Sequence, residues 1–177
     1  FKALGVTLQM TVISLFFATI LGGIFGLFKV SDFKALKFIA NIYIDIIRGT
    51  PLLVQVFIMY YGVGSMLRPY GFQWNMIGGA FSAGCVTLSL NAGAYMAEII
   101  RGGIEAVDKG QMEAARSLGL SYGKAMRKVI LPQAFRTMLP TIINQFIISL
   151  KDTSLISVIG PRELTQNSKI IAANASS

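Results

Sequence analysis

The sequence predicts an all-α polytopic membrane protein, and three observations carry that prediction. Charge is sparse: Asp, Glu, Lys and Arg make up 14% of the 177 residues, against about 25% in soluble globular domains. Apolar residues make up 54%, and the mean hydropathy is +0.62. The charge is also segregated: 26 uncharged residues separate Lys2 from Lys29, 19 separate Arg48 from Arg68, and 29 separate Arg68 from Glu98. A bilayer-crossing helix needs about 20 mainly apolar residues, so each gap has spanning length. The first is too long for the roughly 7–15-residue apolar core of a secretory signal peptide.

Composition also excludes chemistry. With no histidine and one cysteine, Cys85 inside an apolar run, the chain has no His/Cys metal site, no Ser-His triad and no disulfide framework. Lys and Arg outnumber Asp and Glu by 16 to 8; in a membrane protein that excess collects in cytoplasmic loops rather than marking a nucleic-acid site. A start at Phe1-Lys2 and an end in Ala-Asn-Ala-Ser-Ser read as cuts from something longer.

The first span is expected over residues 4–28. Its Gly22 and Gly26 form a GxxxG pair, which lets another helix backbone approach closely. A polar interruption, residues 29–37, leads to an elbow helix at the interface, residues 33–47, and then to Arg48-Gly49-Thr50-Pro51. Thr50 suits an N-cap and Pro51 the first helical position, so the second span is placed at residues 51–67. Residues 68–74 are an aromatic turn whose Tyr70 and Trp74 suit the headgroup region. The third span, residues 76–100, is rich in Gly, Ala and Ser, as a helix surrounded by other helices should be.

Residues 101–128 carry six Lys/Arg and three Asp/Glu and no apolar run. Gly110 opens a short helix, residues 111–118, and Gly119 stands where a C′ glycine stops it. Ser121 caps a second helix, residues 122–130, and Pro132 limits its extension. A fourth span is expected over residues 132–150, with Arg136 snorkelling. After Lys151, the segment from Ser154 to Pro161 is too short to span and reads as a re-entrant or interfacial helix. Segments 29–48 and 101–128, with four and six basic residues, belong in the cytoplasm, and the turn at 68–75, with one, outside. Lys151, Arg162 and Lys169 in the tail run against this orientation.

A 28-residue polar loop is long for a connection. Its Glu113-Ala114-Ala115 puts an acid and two alanines on a small exposed turn, where a partner can reach the backbone; the alternative is a solvated linker. Glu113-Ala114-Ala115, Gly119 and Val129-Ile130-Leu131-Pro132 resemble the EAA loop of binding-protein-dependent ABC import permeases, with Val129 where isoleucine is usual. Arg48 to Gln55, Ala94 to Gly103, Leu131 to Ala134 and Lys151 to Leu155 are similar to the polar-amino-acid branch of that family. The resemblance covers residues 5–174.

It implies a type I permease-like helical bundle, here a single domain over residues 1–177 with a coupling loop at 101–131. About four spans are present, and the family's fifth is expected beyond Ser177. It implies an ATP-driven importer of a polar or charged amino acid in the bacterial cytoplasmic membrane. The partners are two cytoplasmic ATPase subunits, a second permease copy or homologue, and an external or fused binding protein, besides the lipid bilayer. The coupling interface is then Glu113, Ala114, Ala115, Gly119, Leu131 and Pro132. This chain is no enzyme and binds no cofactor of its own; ATP and Mg sit on the ATPase. The sequence agrees in lacking a P-loop: Gly119 and Gly123 are separated by three residues rather than four, and no Ser or Thr follows Lys124.

Intramembrane polar residues are costly and ask for a reason. Asn91 and Glu98, two helical turns apart, share a face that lines a path for an amino acid's ammonium group; the competing reading pairs Glu98 with Arg101. Asn144, Gln145, Lys151 and Asp152 form a second candidate set, with Lys151–Asp152 pairing as the alternative. A secondary transporter or channel for small polar solutes is the competing function, resting on Glu98 and leaving the EAA loop without a role.

Overall fold

The computed structural model describes residues 2–71, 73–77 and 79–158, and every regular element among them is helical. Helix α1, Lys2–Val30, runs without a proline until Ser31, whose hydroxyl accepts from Phe33 N and turns the chain. Helix α2, Lys34–Arg48, is amphipathic. It buries Ala40 and Ile44, while Phe38, Ile42 and Ile46 face outward.

The chain then bends by 109° into α3, Leu52–Tyr70. Thr50 is not the cap expected of it. Pro51 holds that position with φ −66° and ψ 146°, because proline forces its predecessor out of the helical region. The Thr50 hydroxyl instead donates back to Ile46 O at 3.0 Å, closing the end of α2.

Within α3, residues Ile58–Val63 form a π turn, which widens the helix and weakens its carbonyl pairing. Trp74 repairs this: its indole N–H donates to Met59 O at 3.2 Å and Tyr60 O at 3.1 Å. Trp74 is therefore buried against α3 rather than lying at a headgroup surface, whereas Tyr70 is exposed as expected.

Helix α4, Ala80–Glu105, starts later than expected and runs on through Gly102-Gly103. It is the centre of the bundle, with Ala83, Leu88, Ala92, Ala94, Met96 and Ala97 buried. The GxxxG pair forms the α1–α4 seam. A Cβ at Gly22 would lie 2.5 Å from Met96 Cγ, and one at Gly26 would lie 3.0 Å from Ala97 O, so only glycine permits this approach.

Two short elements follow: α5, Lys109–Ser117, and α6, Tyr122–Ala125. Ser121 caps α6 as expected, accepting from Lys124 N at 3.3 Å. Pro132 does not stop it. A π turn, Met126–Ile130, carries α6 directly into α7, Leu131–Val158, and Leu131 N donates five residues back to Met126 O. That shift in pairing arrives just before the proline, where a donor is missing anyway.

Helix α7 contains Pro140 and extends beyond the expected end at Leu150. Ser154 accordingly lies in its last turns, donating to Leu150 O, and does not start a new helix. Gly160-Pro161, with the rest of the tail, lies outside the described residues.

Among the described residues, two helices are long and apolar enough to cross a membrane, Gly5–Val30 and Phe81–Glu105, or three if the bent pair α2–α3 counts as one. Helix α7 has the length, but Asn144, Gln145, Lys151 and Asp152 lower its hydropathy. The expected count of about four is thus not reached by length and apolarity alone.

Candidate functional site

A cavity of about 320 Å³ lies where the α2–α3 bend, α4 and α7 meet, lined by Thr50, Pro51, Leu52, Asn91, Tyr95, Gln145, Ile148 and Asp152. Its size is at the lower end for small-molecule sites. Asn91 is buried on α4, and its Nδ2 donates to Gln55 Oε1 at 3.0 Å. The Gln55 amide nitrogen donates to Ile47 O at 2.7 Å, Thr50 O at 3.0 Å and Thr50 Oγ1 at 2.7 Å. Gln145 Nε2 points to Ser149 Oγ at 3.4 Å. The Arg48 guanidinium stands 5.7 Å from the Tyr95 ring centroid, within cation–π range.

Asp152 is half-buried and makes no ion pair or hydrogen bond among the described residues. Its neighbour Lys151 is exposed and does not pair with it. A carboxylate facing a cavity without a counter-charge is costly unless a cation arrives.

The sequence candidates therefore separate. Asn91 and Asp152 come together in one cavity wall, while Asn144 and Lys151 lie exposed on α7 and Glu98 belongs elsewhere. Glu98 accepts from Lys29 of α1 and, at 3.0 Å, from Arg101 of its own helix. Arg48 of α2 stands 3.5 Å away, and Arg101 also binds Glu105 at 2.6 Å. The Arg101 pairing read from the sequence is present, but as one part of a junction binding three helices. Sequence reasoning missed Lys29 and Arg48 because their approach depends on how α1 and α2 pack. It also missed Gln55, Thr50 and Tyr95, although a glutamine in the apolar run after Pro51 is itself a signal, whereas Gln145, read from the sequence beside Asn144, does line the cavity.

The second candidate region is the turn between α5 and α6. Asp108 caps α5 through Gly110 N at 3.0 Å. Gly119 adopts φ +90°, with Gly119 N donating to Arg116 O and Leu120 N to Ala115 O. That paired 5→2 and 6→1 arrangement is a Schellman stop, as expected of a C′ glycine. Glu113 and Ala114 are exposed, and the Glu113 carboxylate has no partner among the described residues.

Ala115 departs from expectation: it is buried, because α5 folds back there onto the α6–α7 junction. Leu131 is half-buried and Pro132 exposed. Leu118, 84% exposed, is an apolar side chain on this turn that the motif reading passed over. Gln133 ties the turn to α7, donating to Gln111 Oε1 at 3.1 Å.

Comparison with known proteins gives this arrangement its family. Residues 9–174 match the model of the binding-protein-dependent transport system inner membrane component. The chain is 44% identical over 159 residues to the arginine transport system permease protein ArtQ of Bacillus subtilis, covering 90% of this chain and 69% of that protein. It is 39% identical over 169 residues to the putative glutamine transport system permease protein GlnP of Rickettsia felis, covering 94% and 73%. To the L-cystine transport system permease protein TcyB of Bacillus subtilis it is 41% identical over 167 residues, covering 94% and 68%. Among solved structures, the crystal structure of an amino acid ABC transporter with histidines aligns with a TM-score of 0.74 at 44% identity, covering 97% of this chain and 76% of that one. An all-helical chain with apolar spans, matching over nearly its whole length, belongs to the family of binding-protein-dependent transport system inner membrane components.

Proposed function

We propose that this permease subunit moves an amino acid through the cavity between the α2–α3 bend, α4 and α7, in the bacterial cytoplasmic membrane. The observation that carries the reading is that Asn91, a buried amide whose Nδ2 is already donated to Gln55, and the unpartnered carboxylate of Asp152 stand in one wall. Such a wall suits a ligand bearing an ammonium group. It favours a cationic or zwitterionic amino acid over an acidic one, because a second carboxylate there would meet Asp152 uncompensated. Relatives named for arginine, glutamine and cystine transport support this substrate class. In this reading α7 serves as a further span, with Gln145 and Asp152 turned to the cavity rather than to lipid.

Energy comes from ATPase subunits seated on the turn between α5 and α6, on the cytoplasmic side with the other basic segments. Exposed Glu113, Ala114 and Leu118 and the small Gly119 stop offer a partner a low surface with one apolar anchor. A second permease copy or homologue and an external or fused binding protein complete the system. ATP and Mg belong to the ATPase, and this chain supplies no catalytic group.

The test is ligand protection. In a Cys85→Ser background, Ile148→Cys lines the cavity, whereas Ile147→Cys is exposed on α7 outside it. L-arginine or L-glutamine should slow maleimide labelling at position 148 and leave position 147 unaffected. Equal labelling at both positions with and without amino acid would refute the cavity as the substrate path.

A further inference from the structure

The bend between α2 and α3 forms one side of the cavity, and two of its carbonyls reach a buried glutamine behind the wall. Pro51 has no N–H to give Ile47 O, which takes only long contacts from Thr50 N at 3.4 Å and Thr50 Oγ1 at 3.3 Å. Both Ile47 O and Thr50 O accept from Gln55 Nε2, at 2.7 and 3.0 Å. Carbonyl oxygens only accept, so the side-chain amide of Gln55 must turn its nitrogen toward them. Its oxygen is then forced to face α4, where Asn91 meets it with Nδ2 at 3.0 Å. A carboxamide has one nitrogen and one oxygen, so Asn91, held by Nδ2, keeps Oδ1 for other partners. Asn91 lines the cavity, and no protein group engages that oxygen among the described residues.

We infer that Gln55 is a positioning residue which relays the polarity of two backbone carbonyls at the α2–α3 bend to Asn91, so that the cavity presents an acceptor rather than a donor beside Asp152. A freely rotating Asn91 would offer its amino group for half the time, and that group repels an ammonium. Gln55 is itself buried and lines no part of the cavity, so it acts through Asn91 alone. The inference rests on the cavity being the substrate path.

The experiment is a double-mutant cycle on uptake of L-arginine by the importer reconstituted with its ATPase subunits. Gln55→Met, nearly isosteric, removes both ends of the relay; Asn91→Ala removes its output. Asn91→Ala should raise the transport KM about tenfold, as expected for losing an oriented hydrogen bond to a charged group, and Gln55→Met about twofold, because Asn91 then presents its oxygen about half the time, with kcat changed less than about twofold in both. The Gln55→Met/Asn91→Ala double variant should have the KM of Asn91→Ala, because Gln55 has nothing left to orient.

Additive effects in the double variant would overturn the relay, since Gln55 would then act on the bend itself. An unchanged KM in Gln55→Met beside a raised KM in Asn91→Ala would overturn the relay and spare the cavity. An unchanged KM in Asn91→Ala would remove the cavity reading, and the relay with it.

Should Gln55→Met fail to assemble, Gln55→Glu carries the test. In that variant a protonated carboxyl can still donate to the bend carbonyls and accept from Asn91, whereas an ionised one cannot donate. The KM ratio of Gln55→Glu to wild type should therefore fall as pH is lowered. Asp152 and Tyr95, the titratable groups of the cavity wall, and Arg48 beside Tyr95 are common to both proteins and cancel in that ratio. A ratio independent of pH would refute the relay.

Discussion

Two adjacent glycines give the sharpest test of the helix seam that holds the bundle together. A Cβ at Gly22 would lie 2.5 and 2.6 Å from Met96 Cγ and Cβ and 3.1 Å from its carbonyl carbon, while a Cβ at Gly23 would meet nothing within 4 Å. Carbon atoms prefer about 3.5–4.0 Å, so Gly22→Ala forces an overlap of about 1 Å. Met96 is 1% exposed, and its Cβ and backbone carbonyl carbon are among the atoms met, so a side-chain rotation alone cannot relieve the overlap and α1 must move off α4. Overpacking of this kind costs about 1–3 kcal/mol.

Both substitutions gain the same helix propensity, about 0.8–1.0 kcal/mol, so their difference isolates the steric cost. At about 2–4 °C per kcal/mol for a chain of this size, Gly22→Ala should melt about 4–8 °C below Gly23→Ala for a cost of about 2 kcal/mol. The assay is thermal unfolding of the two purified permeases in one detergent. Equal melting temperatures would refute the seam, and with it the approach of α1 that brings Lys29 to Glu98.

Glu98→Gln should lower the melting temperature, because Lys29, Arg48 and Arg101 converge on that carboxylate and only Arg101 would keep another acid, Glu105. Its cost is about 1–3 kcal/mol, and uptake KM should stay unchanged because Glu98 lies outside the cavity; a selective rise in KM would return it to the substrate path. Gly119→Val should leave the spans folded, since open space surrounds the position, yet cost roughly 1 kcal/mol or more at φ +90° and release the ATPase. Full ATPase retention during purification would make this turn a plain linker.

The local signals in the sequence transferred to the structure where short-range chemistry decides. Gly119, Ser121, the interruption between the first span and the elbow helix, and the GxxxG seam are each fixed by a few neighbours, and each appears as read. Long-range packing explains the departures. Thr50 lost its cap role because Pro51 occupies the cap position and the bend draws Thr50 back to α2. Pro132 was read as a stop, but the π turn before it absorbs its missing donor. Trp74 was read as a surface aromatic, yet a widened helix 11 to 16 residues earlier in the chain offers it two carbonyls. At the cavity, Asn91, Gln145 and Asp152 were visible as costly polar residues; Gln55, behind its wall, was legible only as a polar residue in an apolar run, because its partners are two backbone carbonyls of the bend.

The central claim, that substrate crosses beside Asp152, is tested most directly by ATP-driven uptake of L-arginine into proteoliposomes containing the permease and its ATPase subunits. Asp152→Asn keeps the shape of the side chain and removes the one carboxylate among the cavity-lining residues. The account predicts that the transport KM rises at least about tenfold, the equivalent of about 1.4 kcal/mol, while the assembled complex keeps its ATPase subunits and its basal ATP hydrolysis. Unchanged KM and rate in Asp152→Asn, with the complex intact, would contradict it.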